Sequence, residues 1–176
     1  MLVSFTSVSG IGLLGFAAVV AAYDTRFREI PNGMNVFGAG LGFGLGLSEC
    51  LATGGLAGTP LFISNVALGM LVAACVSLPL WRVGALGGGD VKFLVASGTF
   101  VGPLFALKLL SYSLLTFTVL AMLRFLREGR LVEALRRSFG SGTKPALASA
   151  SATDATRLVP FGPAVLLGAC LAILIR

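Results

Sequence analysis

Apolar residues run along this chain in blocks about one membrane thickness long, and the polar residues collect in the gaps between them. A helix needs roughly 20 mostly apolar residues to cross a bilayer. Blocks of that kind cover 4–23, 34–53, 61–81, 104–124 and 158–175. A shorter block over 90–101 is stopped by Gly102-Pro103. As a helix it rises only about 18 Å against roughly 30 Å of hydrocarbon, so its start is expected below the membrane surface, in a cavity. The second block has glycine at 38, 40, 42, 44 and 46. Read as a helix, it puts Gly38, Gly42 and Gly46 on one face, where a neighbour can approach closely. Alternating glycine would also suit a strand, but a lone strand cannot cross a bilayer without a barrel. The helical pattern of the remaining blocks decides for a helix, and "TGGLAGTP" (53–60) reads as the turn after it. The pattern predicts an all-α, polytopic membrane helix bundle of about six transmembrane helices, one integral-membrane domain over 1–176.

Composition agrees: 56% of the 176 residues are hydrophobic and 11% charged, where a soluble domain carries roughly 25% charged residues. The 13 Lys+Arg against 7 Asp+Glu do not argue for nucleic acid, because basic residues in a membrane protein mark cytoplasmic loops. Arg26 and Arg28 follow the first block, and Arg82 and Lys92 flank the gap between the third and fourth. Arg124, Arg127, Arg130, Arg136, Arg137, Lys144 and Arg157 crowd the gap after the fifth. The positive-inside rule then places these three gaps in the cytoplasm and both termini outside, with Lys108 as an exception that can snorkel outward. In the last gap, 127–139 carries Leu131, Leu135 and Phe139 on one helical face and charges on the other, which predicts an amphipathic helix on the anionic inner leaflet. Residues 140–157 read as a flexible linker. No basic residue precedes the first block, so a cleavable signal peptide is not expected. Cys50, Cys75 and Cys170 are isolated and there is no histidine. A thiolate or imidazole metal site therefore has almost no ligands to use, and neither metal nor cofactor is expected.

Two aspartates stand out. Asp24 ends the first block, and Asp90 follows three glycines in "GALGGGDVKF" (84–93). Ionisable residues at membrane depth are costly and point to function. On the predicted layout both carboxylates lie on the same side. Two carboxyl groups sharing a site do not both ionise easily, which leaves one acid and one base, as aspartic peptide hydrolysis requires. Gly87, Gly88 and Gly89 let the backbone turn sharply and admit an extended substrate close to the carboxyl groups. Composition leaves other readings open. An aspartate is favoured at a helix start in any case, Asp24 with Arg26 and Arg28 can be an interfacial charge cluster, and two buried aspartates also suit the proton or cation relay of a small transporter.

The residues carry a family resemblance. "GGGD" at 87–90 matches the GxGD signature of intramembrane aspartic proteases. Asp24-Thr25-Arg26-Phe27-Arg28-Glu29-Ile30-Pro31-Asn32 resembles the first-aspartate motif of type IV prepilin peptidases, and "VPFGPAVLLG" (159–168) resembles their C-terminal segment. The three come in the family's order and spacing and cover nearly the whole chain. The resemblance implies a multi-pass endopeptidase of a bacterial inner membrane, with Asp24 and Asp90 as its catalytic pair facing the cytoplasm. It would remove the short basic leader of a prepilin or pseudopilin. Arg28, Pro31, Asn32, Pro160 and Gly162 would shape the site, and Lys92 either tunes the pair or snorkels at the interface. Larger members have an insertion with paired CxxC motifs and also N-methylate the new terminus. Here roughly nine residues (25–33) separate the first two blocks and no CxxC exists, so methylation is not expected and the short, peptidase-only enzymes of Tad/Flp-type pilus systems are the nearer likeness. A transporter, or a non-catalytic component of a pilus or secretion machine, is the competing reading. Neither accounts for the three motifs occurring together.

Overall fold

Alternating glycine in the second block resolves as helix, with the two glycine sets facing different surroundings. In a computed structural model, which describes residues 8–127 and 161–175, residues Asn32–Gly54 form one helix, α2. Gly38, Gly42 and Gly46 are buried along it. The Phe16 ring lies against Gly38, Thr99 and Phe100 against Gly42, and Phe62 against Gly46, while nothing approaches Gly40 or Gly44. One face has given up its side chains so that aromatic neighbours can seat there.

Five further α-helices complete the described residues: α1 (Val8–Phe27), α3 (Thr59–Arg82), α4 (Gly88–Ser97), α5 (Pro103–Arg127) and α6 (Phe161–Leu174). No strand occurs among them. Four stretches are long and apolar enough to cross a membrane: Val8–Phe27, Asn32–Gly54, Leu56–Arg82 and Pro103–Leu123. Large apolar side chains such as Val36, Phe37, Leu61, Leu71, Leu104 and Leu115 are exposed on the outside of the bundle, a surface that only lipid covers without penalty. The expected turn at 53–60 is a break at Gly55 followed by a short 3-10 turn, Leu56–Gly58. The expected amphipathic helix over 127–139 and the linker over 140–157 lie outside the described residues.

The core is built around Phe16, which meets Phe93 edge-on at 5.3 Å and stacks on Phe100 at 5.7 Å. Leu13, Val20, Leu94, Leu109, Leu110 and Val165 belong to the same buried cluster. Helix α6 packs on both α1 and α5, and α4 sits between α2 and α3. Backbone contact fixes the last of these. A Cβ on Gly98 would lie 2.8 Å from the Gly69 carbonyl oxygen, and one on Gly69 would lie 2.5 Å from that of Gly98. At such separation any side chain forces the two helices apart. The packing also sets direction: Gly89 meets Ile30 at one end of α4, and Phe100, just past its other end, meets Gly42. Helices α2 and α4 therefore start together and run inward side by side.

Candidate active site

Helix α1 ends one turn after Asp24, and the ending is unusual. The Arg28 N–H donates to the Asp24 carbonyl oxygen at 2.8 Å, while Arg28 itself has φ 55°. A left-handed residue after the last helical turn is a common helix stop, normally taken by glycine. Arginine there costs about 1 kcal/mol. The chain then extends through Pro31, whose ψ of 140° lets α2 begin at Asn32 and whose carbonyl oxygen accepts the Met34 N–H at 3.1 Å. The result is a tight reversal from α1 into α2 with Asp24 on its inner side, only 6% exposed.

A buried carboxylate needs a partner, and Asp24 finds it in α6. The Gly162 N–H, in the first turn of that helix, donates to Asp24 Oδ2 at 2.7 Å. Helix starts offer unpaired N–H groups and a favourable field for negative charge. The approach requires glycine. A Cβ at 162 would stand 2.8 Å from the Ala21 Cα and 3.1 Å from the Asp24 Cβ.

Asp90 comes from the other direction. Gly88 and Gly89 belong to the first turn of α4, so the helix begins two residues earlier than its apolar block, and the sharp turn expected at the glycine triplet is at Gly84, with φ 77°. The glycines serve contact more than bending. Gly89 lies against Ile30, where a Cβ would come within 3.4 Å of the Ile30 Cβ, and Gly88 faces the Trp81 indole nitrogen. Asp90 is thus the third residue of α4, and its Oδ2 accepts the Gly87 N–H at 3.1 Å. The helix-start role that an aspartate invites is realised here. Asp90 is half-buried where Asp24 is buried.

Around the two carboxyl groups the other expected residues fall at the same end of the bundle. Lys92 Nζ donates to Asn32 Oδ1 at 2.8 Å, tying α4 to the start of α2. Lys92 therefore acts as a strut between two elements of the site. Arg26, Arg28 and Arg82 are exposed at this end. Pro160 lies outside the described residues. A cavity of about 270 Å³, lined by Ser9, Glu49, Phe62, Asn65 and Thr99 among others, opens at the opposite ends of α1, α2 and α4 and does not include either aspartate. There Glu49 accepts the Ser9 N–H and hydroxyl at 3.0 and 2.7 Å. Among the described residues no group of three or more His, Cys, Asp or Glu could hold a metal ion.

One polar residue of this region is not among those the motifs single out. Asn35 is 5% exposed, and neither its side-chain oxygen nor its nitrogen has a hydrogen-bond partner among the described residues. An amide left unpaired in such surroundings costs about 1–3 kcal/mol. The chain does carry a signal for it: Asn35 precedes Gly38 by three and so heads the buried face of α2.

Residues 11–124 match the model of the type IV leader peptidase family. No curated protein and no solved structure matches the chain.

Proposed function

The chain belongs to the type IV leader peptidase family, and from that premise we propose that it is an aspartic endopeptidase acting through Asp24 and Asp90. Its substrate is the leader junction of a prepilin or pseudopilin, of the Flp-like kind, presented at the cytoplasmic face of a bacterial inner membrane. The observation that supports this reading is that two separate helices present the two carboxyl groups at one end of the bundle. Each is held by a main-chain N–H. In the reaction, the charged carboxylate takes a proton from water as it attacks the peptide carbonyl. The protonated carboxyl gives its proton to the carbonyl oxygen. Collapse of the tetrahedral adduct returns a proton to the departing amine and restores the pair.

The family match favours a peptidase over the transporter and scaffold readings. Orientation rests on the basic residues near Asp24 and Asp90, which the positive-inside rule assigns to the cytoplasm. The chain has no CxxC pair, so we expect hydrolysis without methylation. Incubating the purified protein in detergent with a prepilin, followed by mass spectrometry, tests the activity. One cut at the leader junction and an unmodified new terminus are expected. Intact prepilin would overturn the peptidase reading, and a terminus heavier by one methyl, dependent on S-adenosylmethionine, would overturn the peptidase-only part of it.

A further inference from the structure

Asn35 is a buried polar residue near the start of α2. It shares the buried face of α2 with Gly38 and Gly42, and those glycines carry Phe16 of α1 and, from α4 and the turn beyond it, Thr99 and Phe100. The face thus looks into the wedge between α1, which ends in Asp24, and α4, which begins with Asp90. Asn32, one turn earlier, is tied to α4 through Lys92, and Ile30 lies against Gly89. Asn35 is therefore about 4.5 Å further along α2 than Asn32, and Asp24 is likewise three residues from its own end of α1. Both of its amide atoms are buried and unpaired.

We propose that the Asn35 carboxamide binds the main chain of the substrate beside the scissile bond, as a substrate-positioning residue; this rests on the leader-peptidase reading. A peptide bond can be attacked only when the chain around it is extended, and an extended chain in an apolar wedge exposes N–H and C=O groups that water cannot reach. A carboxamide offers one acceptor and a pair of donors, so it can satisfy an N–H and a C=O of the same unwound stretch. An unpaired amide at this position is then a preformed half of a hydrogen-bond pair whose other half arrives with the substrate.

The test uses the full-length protein in detergent and a synthetic peptide spanning the leader junction of the pilin-like protein encoded nearest to this chain's own gene. Asn35→Leu is expected to raise KM about tenfold, the loss of one well-made hydrogen bond, with kcat within about twofold. Its Tm should be unchanged or higher, because an apolar side chain of similar size replaces an unpaired amide. Asn35→Thr, which retains a donor and an acceptor, should recover part of the KM. Peptides in which an ester replaces, in turn, each of the two peptide bonds on either side of the scissile one provide the second measurement. The wild type should bind one of them more weakly, and Asn35→Leu should be indifferent to that replacement. An unchanged KM in Asn35→Leu, a fall in kcat alone, or equal ester sensitivity in both proteins would overturn the proposal. If Asn35→Leu does not fold, the absence of any sensitive ester position in the wild type would do so. A wild type that leaves the peptide intact would instead remove the peptidase reading and this inference with it, and an Asp24→Asn protein that still cuts it would remove the two-aspartate mechanism on which the inference rests.

Discussion

Gly162 carries a sharp prediction about how the site is held. Its N–H reaches Asp24 Oδ2 only because α6 comes down on α1 with no side chain between them. A methyl group there meets backbone, which cannot rotate away. Gly162→Ala should therefore lift α6 from Asp24 and lower kcat/KM about a hundredfold, the scale expected when a reacting group is misplaced by about 1 Å. Initial rates on correctly inserted protein check this, and a near-normal rate would mean that the Gly162 bond is incidental. At this scale the sequence is informative about which residues matter and poor about what they touch. Asp24 and Asp90 are recognisable because charge is costly in apolar surroundings, and Gly162 because of its motif. The bond between Gly162 and Asp24 spans 138 positions and depends on how α6 docks, which no local pattern encodes. The left-handed Arg28 is equally hidden, since that conformation ordinarily selects glycine.

Among the helices, the glycines divide into those that carry packing and those that face open space. Gly98 meets Gly69 through main-chain atoms within 2.8–3.0 Å of a would-be Cβ, whereas nothing lies within 4 Å of one at Gly40. Gly98→Ala should cost about 1–3 kcal/mol through overpacking and lower the thermal midpoint in detergent. Gly40→Ala should leave it unchanged or raise it, since alanine favours helix by about 0.5–1 kcal/mol. Equal effects would contradict the assignment of faces. The i, i+4 spacing makes the buried face of α2 legible from the sequence alone, because a helix repeats on that period. The same apolar pattern puts the start of α4 two residues late. Glycines 88 and 89 look like loop by propensity, and only contact with Trp81 and Ile30 shows why they are helix. For Lys92 the pattern offers snorkelling or tuning, and its bond to Asn32 gives it a third role that spacing alone does not reveal.

Across the whole chain, the arrangement requires the ends of α1 and α3 to share one side of the membrane. Reporter fusions after residues 28 and 85 should both score cytoplasmic, as should one after 140, while fusions at 56 and 176 should score external. Opposite scores at 28 and 85 would separate the two aspartates by a bilayer and dismantle the site. The expected orientation rests on the basic residues alone, read through the positive-inside rule. The count of helices is legible from block lengths for an elementary reason, the fixed thickness of hydrocarbon. How the six described helices pack is not, because lipid-facing and protein-facing sides of such a helix are both apolar. Hydrophobic patterning says little when the solvent is itself hydrophobic.

The central claim, that two carboxyl groups on two helices act as one unit, is tested most directly by rate measurements on Asp24→Asn, Asp90→Asn and the double variant. An amide preserves nearly the volume of the acid but can neither take the proton from water nor supply the shared one. General acid–base roles are worth roughly 10²–10⁴ in rate. Each single variant should fall by at least that much, and the double variant little further, because groups acting together are strongly non-additive. Asp154→Asn, in the Ser/Ala/Thr-rich stretch of the sequence, should cleave at close to the wild-type rate. The account predicts that either aspartate alone is worthless for cleavage. Substantial processing by a well-inserted Asp24→Asn or Asp90→Asn protein would contradict it.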